Sequence, residues 1–210
     1  MKRALEQRLA AVEGFRDPNV EREQYPTPAG LAAHLLHTAD LQGDLAAPVV
    51  DLGTGTGMLA LGAACRDPPR VVGVDVDAAA LAVARENERR VAPPERVSWV
   101  RADATRDLPL AFGDEAPTVV MNPPFGAQLG NRHADRRFLE TAAALGGVSW
   151  SIHNGGSQSF VESFAADAGG DVTHAFAAEL DLNNQFEFHT DARAALDVEV
   201  FRVEWGGPQA

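Results

Sequence analysis

The chain has 210 residues, a formal net charge of −12 and 45% apolar side chains. That length suits one domain with a full core, the apolar share excludes a disordered chain, and the absence of any long uncharged apolar run excludes a membrane-spanning helix. Cys65 is the single cysteine and the first residues lack the apolar centre of a signal peptide, so no internal disulfide and a cytoplasmic location are expected. Lys2 is the only lysine among the 18 Lys and Arg residues. Acidic excess with lysine depletion suits a surface that stays soluble where salt screens charge, as in a salt-accumulating halophile; an ordinary acidic protein from a GC-rich genome is the alternative.

Residues 1–13 form an amphipathic pattern with Leu5, Leu9 and Val12 on one stripe, which predicts a helix. Pro18 interrupts it, Pro26 and Pro28 mark a turn, and helical spacing resumes over Ala29–Ala39. Strands are predicted at Val49–Leu52, Val71–Asp75, Val97–Asp103, Pro117–Met121 and Val148–His153. Helices are predicted between them at Met58–Cys65, Ala78–Val91 and Asp135–Leu145, and after them at Ser157–Ala168. Two strand-like runs, 171–181 and 196–205, have no helix between them. Alternating strand and helix predicts an α/β fold with a parallel sheet covered on both faces, and the last two runs predict a C-terminal antiparallel hairpin. That combination is the Rossmann-like class I methyltransferase architecture, with a seven-stranded, mostly parallel sheet.

The turn Asp51-Leu52-Gly53-Thr54-Gly55-Thr56-Gly57 follows the first strand. Its glycines permit positive φ and close approach of backbone to a ligand outside the carboxyl ends of the strands. The spacing G-x-G-x-G differs from a dinucleotide site, which disfavours a dehydrogenase. Asp51 would repel a pyrophosphate but suits the ammonium of a methionine moiety. Asp75 ends the second strand and is placed to accept from two ribose hydroxyls, with Val76 beside it, whereas Asp77 is read as the cap of the following helix. Asp103 ends the third strand and is a candidate acceptor for an adenine amine, with the Ala104 amide beside it; a turn or cap role is the alternative. Together these residues point to S-adenosylmethionine.

After the fourth strand comes Asn122-Pro123-Pro124-Phe125-Gly126. Pro123 drives Asn122 toward extended backbone, and the two prolines stiffen the turn and remove two donors. Asn122 and rigid carbonyls can then accept from one planar amino group and aim its lone pair at an electrophilic methyl, while Phe125 stacks on the ring that carries the amine. Asn122 is also expected to border the cofactor.

With Glu23-Gln24-Tyr25-Pro26-Thr27 and Ser151-Ile152-His153, these motifs resemble the methyltransferase-like-five family from about residue 20 to the end, including Phe186-Glu187-Phe188-His189 and Val198-Glu199-Val200. Eukaryotic members methylate an adenine N6 in small-subunit ribosomal RNA, and the resemblance implies the same reaction for this chain, as an archaeal-type member. It further implies that Gln24, Tyr25 and Thr27 cover the methionine end of the cofactor; on the residues alone Tyr25 is equally a core packing residue. It implies a small zinc-binding activator that adds a strand at the edge Val97–Arg101. Trp99 would anchor that contact or pack beneath the cofactor-side helices. One methyltransferase domain over 1–210 is expected, with residues 1–45 as a helical segment contributing to the cofactor site.

The sequence departs from the family where eukaryotic members carry lysines. Arg132, Arg136 and Arg137 form a basic cluster after the catalytic turn, suited to phosphate or equally to a solvated helix start, and Thr190, Asp191 and Arg193 replace late lysines. His153 either lines the substrate pocket or is structural. Competing readings are a glutamine methyltransferase acting on a release factor, a guanine-N2 RNA methyltransferase, and a cofactor-binding subunit without catalysis.

Overall fold

Val49, Val50 and Leu52 are wholly buried on β1 (Val49–Leu52), as befits a strand covered on both faces. The computed structural model describes residues 1–19, 22–106, 108, 110–113, 115–124, 134–182 and 194–206, with 179–182 and 194–196 as backbone. β1 lies between the parallel strands β2 (Val71–Asp75) and β4 (Thr118–Met121), pairing Val50 with Val72 and Val119. Outside them run β3 (Val97–Arg101), parallel to β2, and β5 (Gly147–Asn154), parallel to β4. β6 (Gly170–Leu182) and β7 (Ala194–Trp205) form an antiparallel pair, with β7 antiparallel to β5. The seven strands order as β3-β2-β1-β4-β5-β7-β6, a mostly parallel sheet with the predicted antiparallel hairpin at its C-terminal end. β3 is an edge strand, as expected.

One face of the sheet packs on α1 (Lys2–Leu9), α2 (Ala29–Leu41), α3 (Met58–Ala64) and the end of α4 (Ala78–Val91), through Leu5, Leu9, Leu35, Leu36, Leu61 and Val91. The other face packs on α5 (Ala134–Leu145) and α6 (Gln158–Asp167), through Phe138, Leu139, Val161 and Phe164. Asp77 caps α4 by accepting from Ala79 N at 2.8 Å, as the sequence suggests. At the other end Arg8 donates to the carbonyls of Val91 and Ala92 at 2.9 and 2.7 Å, which satisfies acceptors the last turn leaves open.

Two predicted elements end two or more residues early. α1 stops at Leu9 rather than residue 13, because the Glu13 backbone bonds the buried Asn87 carboxamide instead of continuing the helical ladder. β3 stops at Arg101 rather than Asp103, because Ala102 N turns back to Asp75 O and Asp103 organises its own turn. An unpredicted 3-10 turn, Asp44–Ala46, buries Asp44 beside Arg202 of β7. Arg202 reaches both Asp44 oxygens, Nε to Oδ2 at 2.8 Å and Nη2 to Oδ1 at 2.7 Å. Trp150 Nε1 donates to the same carboxylate at 2.8 Å, and Glu204 closes the group from the exposed side.

Candidate active site

The glycine turn links β1 to α3 with Gly53, Gly55 and Gly57 at φ 69°, 54° and 93°. L side chains rarely adopt these values, so the turn requires its glycines. Gly55 N donates to Asp75 Oδ2 and Asp77 N to Asp75 Oδ1, both at 2.8 Å, so two backbone amides set the plane of that carboxylate. Burial raises the Asp75 carboxyl above its ordinary range, against those amides. Asp51, Gly53, Thr54 and Gly55 line one cleft with Asp75, Val76, Asp103 and Ala104. Gly57 does not line it. A Cβ there would meet the Trp99 ring at 2.8 Å, so the bare glycine makes room for that ring. Trp99 therefore packs under the turn, its Nε1 donating to Glu88 at 2.9 Å, and does not point outward from the edge as an anchor.

Asp51 sits 1% exposed at the base of the cleft, with Oδ2 accepting from Thr54 Oγ1 at 2.6 Å and Ala60 N at 2.9 Å. Burial pushes its carboxyl up to about 7. His153, also 1% exposed, lies in the core on Ser151 Oγ and the edge of Phe201, not in the cleft, so the structural reading of this residue holds. Burial pushes its imidazole down to about 4. The stability that protonated Asp51 contributes is full below the usual carboxylate value of 3.8 and is lost as pH rises through about 7. That of neutral His153 is full above 6.5 and is lost as pH falls through about 4. Between about pH 4 and 6.5 the two slopes therefore cancel. The Asp51→Asn variant should gain stability with rising pH there, by about 1.4 kcal/mol per unit relative to the parent. Urea unfolding of both proteins at pH 4.5 and 6 checks this, and parallel pH profiles would reject it.

The N-terminal segment reaches the cleft along α4. Asn87, wholly buried, accepts from Glu13 N at 3.0 Å and donates to Glu13 O and Thr56 O at 2.9 Å, fastening the segment to the glycine turn. Phe15 follows and lies on Gly55, where a Cβ would come within 2.8 Å of its ring. Gln24, Tyr25 and Thr27 all line the cleft, and Tyr25, at 37% exposed, is not a core residue. Phe15 and Thr56 also line it and were not marked in the sequence. Thr56 lies within the glycine turn but received no role there, while Phe15 belongs to no repeating pattern and its place depends on the Asn87 tie.

Asn122 enters from the end of β4. Its Nδ2 donates to Thr27 Oγ1 at 2.9 Å, while Oδ1 is buried with no hydrogen-bond partner. Buried acceptors are nearly always satisfied, so an orphaned one on a residue that lines the cleft is a candidate partner for an incoming donor. Pro124 lines the cleft, whereas Pro123 is buried behind it. Asp103 lines the cleft but spends both oxygens in its own turn, on Thr105 N and Oγ1 at 2.9 and 2.7 Å and on Arg106 Nε at 3.1 Å. The Thr105 hydroxyl is the main cause that holds its carboxyl below the usual range. Arg136 lies over the Phe164 ring at 5.2 Å and bonds Glu140, and Arg137 is exposed. Phe125, Arg132, the stretch 186–191 and Arg193 lie outside the described residues. Among the described residues no group of acidic, His or Cys side chains forms a metal site, and no helix is long and apolar enough to cross a membrane.

The methyltransferase small domain family matches residues 31–166. The rRNA N(6)-adenosine-methyltransferase Mettl5 of Drosophila melanogaster is 32% identical over 97% of this chain and 96% of its own length. An uncharacterized protein of Methanocaldococcus jannaschii is 33% identical over 97% of this chain and 94% of its own. The crystal structure of a protein from Pyrococcus horikoshii, described as a candidate RNA methyltransferase, superposes with a TM-score of 0.84 at 32% identity, covering 97% of this chain and 98% of that one.

Proposed function

Because this chain belongs to the methyltransferase small domain family, among relatives of the Mettl5 enzyme, and is an S-adenosylmethionine-dependent N-methyltransferase, we propose that it methylates the N6 amine of an adenine in RNA, and more narrowly in small-subunit ribosomal RNA. The observation that carries this reading is the orphaned Asn122 Oδ1 at the cleft.

The residues present fit the cofactor. Asp75 offers an oriented carboxylate for a ribose, the positive-φ glycines bring bare backbone to the cleft wall, and Asp51 gives the methionine end a carboxylate. Bound there, S-adenosylmethionine supplies an electrophilic methyl on a sulfonium. The chain's own residues bind and orient. Asn122 Oδ1 accepts one amine hydrogen and a carbonyl of the stiff proline turn accepts the other, which turns the nitrogen lone pair toward the methyl. Thr27 holds the Asn122 carboxamide so that its oxygen, not its nitrogen, faces the amine. No strong base is required, since the amine proton leaves to water once the nitrogen has become cationic. Phe125 is assigned the stacking role from its place in the motif. Tyr25 and Gln24 cover the methionine end.

A small zinc-binding protein is proposed to pair along β3, whose outer edge has no neighbour among the described residues. Ser98 and Arg101 are exposed there, and the pairing rests on backbone rather than on Trp99.

The test is incubation with labelled cofactor, alone and with that partner, of small-subunit RNA, large-subunit RNA and a release factor, followed by digestion to nucleosides or amino acids. Label in N6-methyladenosine of small-subunit RNA is the expected result. Label in N2-methylguanosine, or in glutamine of the protein only, would overturn it.

A further inference from the structure

Asp77 has more partners than a helix cap needs. Its Oδ1 accepts from Ala79 N, which completes the cap of α4. Its Oδ2 accepts from Gln24 Nε2 at 2.8 Å and faces Arg22 Nη1 at 3.3 Å, both on the segment that covers the cleft. Its own backbone N–H holds Asp75 Oδ1. One residue thus touches the cover, the helix start and the carboxylate assigned to the ribose. The cover is further shaped around this tie. Gln24 Oε1 accepts from Asn19 N at 2.8 Å, so the Gln24 amide has its oxygen engaged toward its own segment and its nitrogen toward Asp77. Between the two Asp77 contacts Glu23 is held at φ 50°, a left-handed conformation that a non-glycine residue keeps only when its surroundings impose it. The Gln24 bond is also the main cause that holds the Asp77 carboxyl below its usual range.

We propose that Asp77 is a positioning residue that latches the segment 22–27 over the bound cofactor and thereby slows cofactor release. The proposal rests on the reading of the cleft as the S-adenosylmethionine site. Asp77 touches no reacting atom. It acts through Gln24 on the cover and through its amide on Asp75. Release then requires the Gln24 and Arg22 contacts to break together, while the cap on Ala79 stays in place.

The polarity of the Gln24–Asp77 pair offers a test by exchange. Asn caps helices as well as Asp, so Asp77→Asn keeps the cap but presents a donor to the Gln24 amide. Gln24→Glu keeps the acceptor for Asn19 N but sets like charges face to face. Together the two substitutions restore a donor on residue 77 and a charged acceptor on residue 24. Release of labelled S-adenosylhomocysteine from the full chain is chased with unlabelled ligand. Each single substitution should speed release about tenfold, the scale of one lost charge-assisted hydrogen bond. The exchanged pair should return to within about threefold of the parent. Single variants that release at the parent rate, or an exchanged pair as fast as the faster single, would overturn the latch. Should Asp77→Asn fail to fold, Gln24→Glu, which lies outside every helix and strand, carries the test by itself. A parent protein that binds neither S-adenosylmethionine nor its product would instead remove the cofactor reading, so the two failures are distinct.

Discussion

Asn122→Ala is expected to lower turnover by at least about a hundredfold while cofactor affinity changes little, the scale for losing an oriented acceptor at a reacting group. The substitution removes the buried Oδ1 that has no partner within the protein, and it also takes the Nδ2 donor from the buried Thr27 hydroxyl, so a stability loss of about 1–3 kcal/mol accompanies it. What it removes is the group proposed to hold the amine. Two companions separate orientation from mere presence. Asn122→Asp keeps an acceptor, and the Thr27 hydroxyl can turn to donate to it, so this variant should retain more activity than alanine. Thr27→Val leaves Asn122 intact but takes away the acceptor of its Nδ2, which lies 2.9 Å from Thr27 Oγ1, and frees the carboxamide to rotate. An intermediate loss, about tenfold, is expected there. Single-turnover methylation at saturating cofactor measures all three, and near-normal turnover of Asn122→Ala would remove the role assigned to it.

Asp44→Ala is expected to destabilise the fold by about 3–5 kcal/mol, which lowers the melting temperature on the order of 10 °C for a chain of this size. Asp44 and Arg202 have side chains only 5% and 8% exposed, and their contact is bidentate. Removing the carboxylate strands the guanidinium in the interior with Glu204 and Thr173 as its remaining side-chain partners, and it deprives Trp150 Nε1 of its acceptor. The Asp44 carboxylate is the chief cause that raises Arg202 above its ordinary value, which agrees with a guanidinium held charged inside. Most of the loss comes from the uncompensated charge rather than from the worth of the pair. The double substitution Asp44→Ala with Arg202→Met should therefore recover most of it. Denaturant unfolding of the three variants decides. A loss under about 1 kcal/mol for Asp44→Ala, or a double variant worse than the single, would contradict this account.

Much of the site was legible because its signals are local. The glycine turn declares itself by residues that tolerate positive φ, Asp75 by its place at a strand end, and Asn122 by the prolines after it. The strands followed from runs of buried β-branched residues, and the terminal hairpin from two such runs without a helix between them. Additional constraints came where a local pattern met a distant partner. Gly57 belongs to the glycine motif by spacing, yet the Trp99 ring lies under it, so it serves packing. Val12 continues the amphipathic stripe of α1, yet the helix has ended because Asn87 takes the backbone of Glu13. His153, open from the sequence to a pocket or a structural role, turns its side chain into the core beside Phe201.

The sequence by itself determined the order of strands and helices, the class of the sheet, the turn that suits S-adenosylmethionine and the corner that suits an amine, since each depends on periodicity or on the backbone limits of glycine and proline. Only the tertiary structure decided which side chains meet across long stretches of chain. Asn87 joins Glu13 across 74 positions, Asn122 joins Thr27 across 95, and Arg202 joins Asp44 across 158. Such polar pairs leave no periodic trace, because a carboxamide or carboxylate needs a single partner at one distance, and where that partner stands in the chain depends on how the whole sheet is wound.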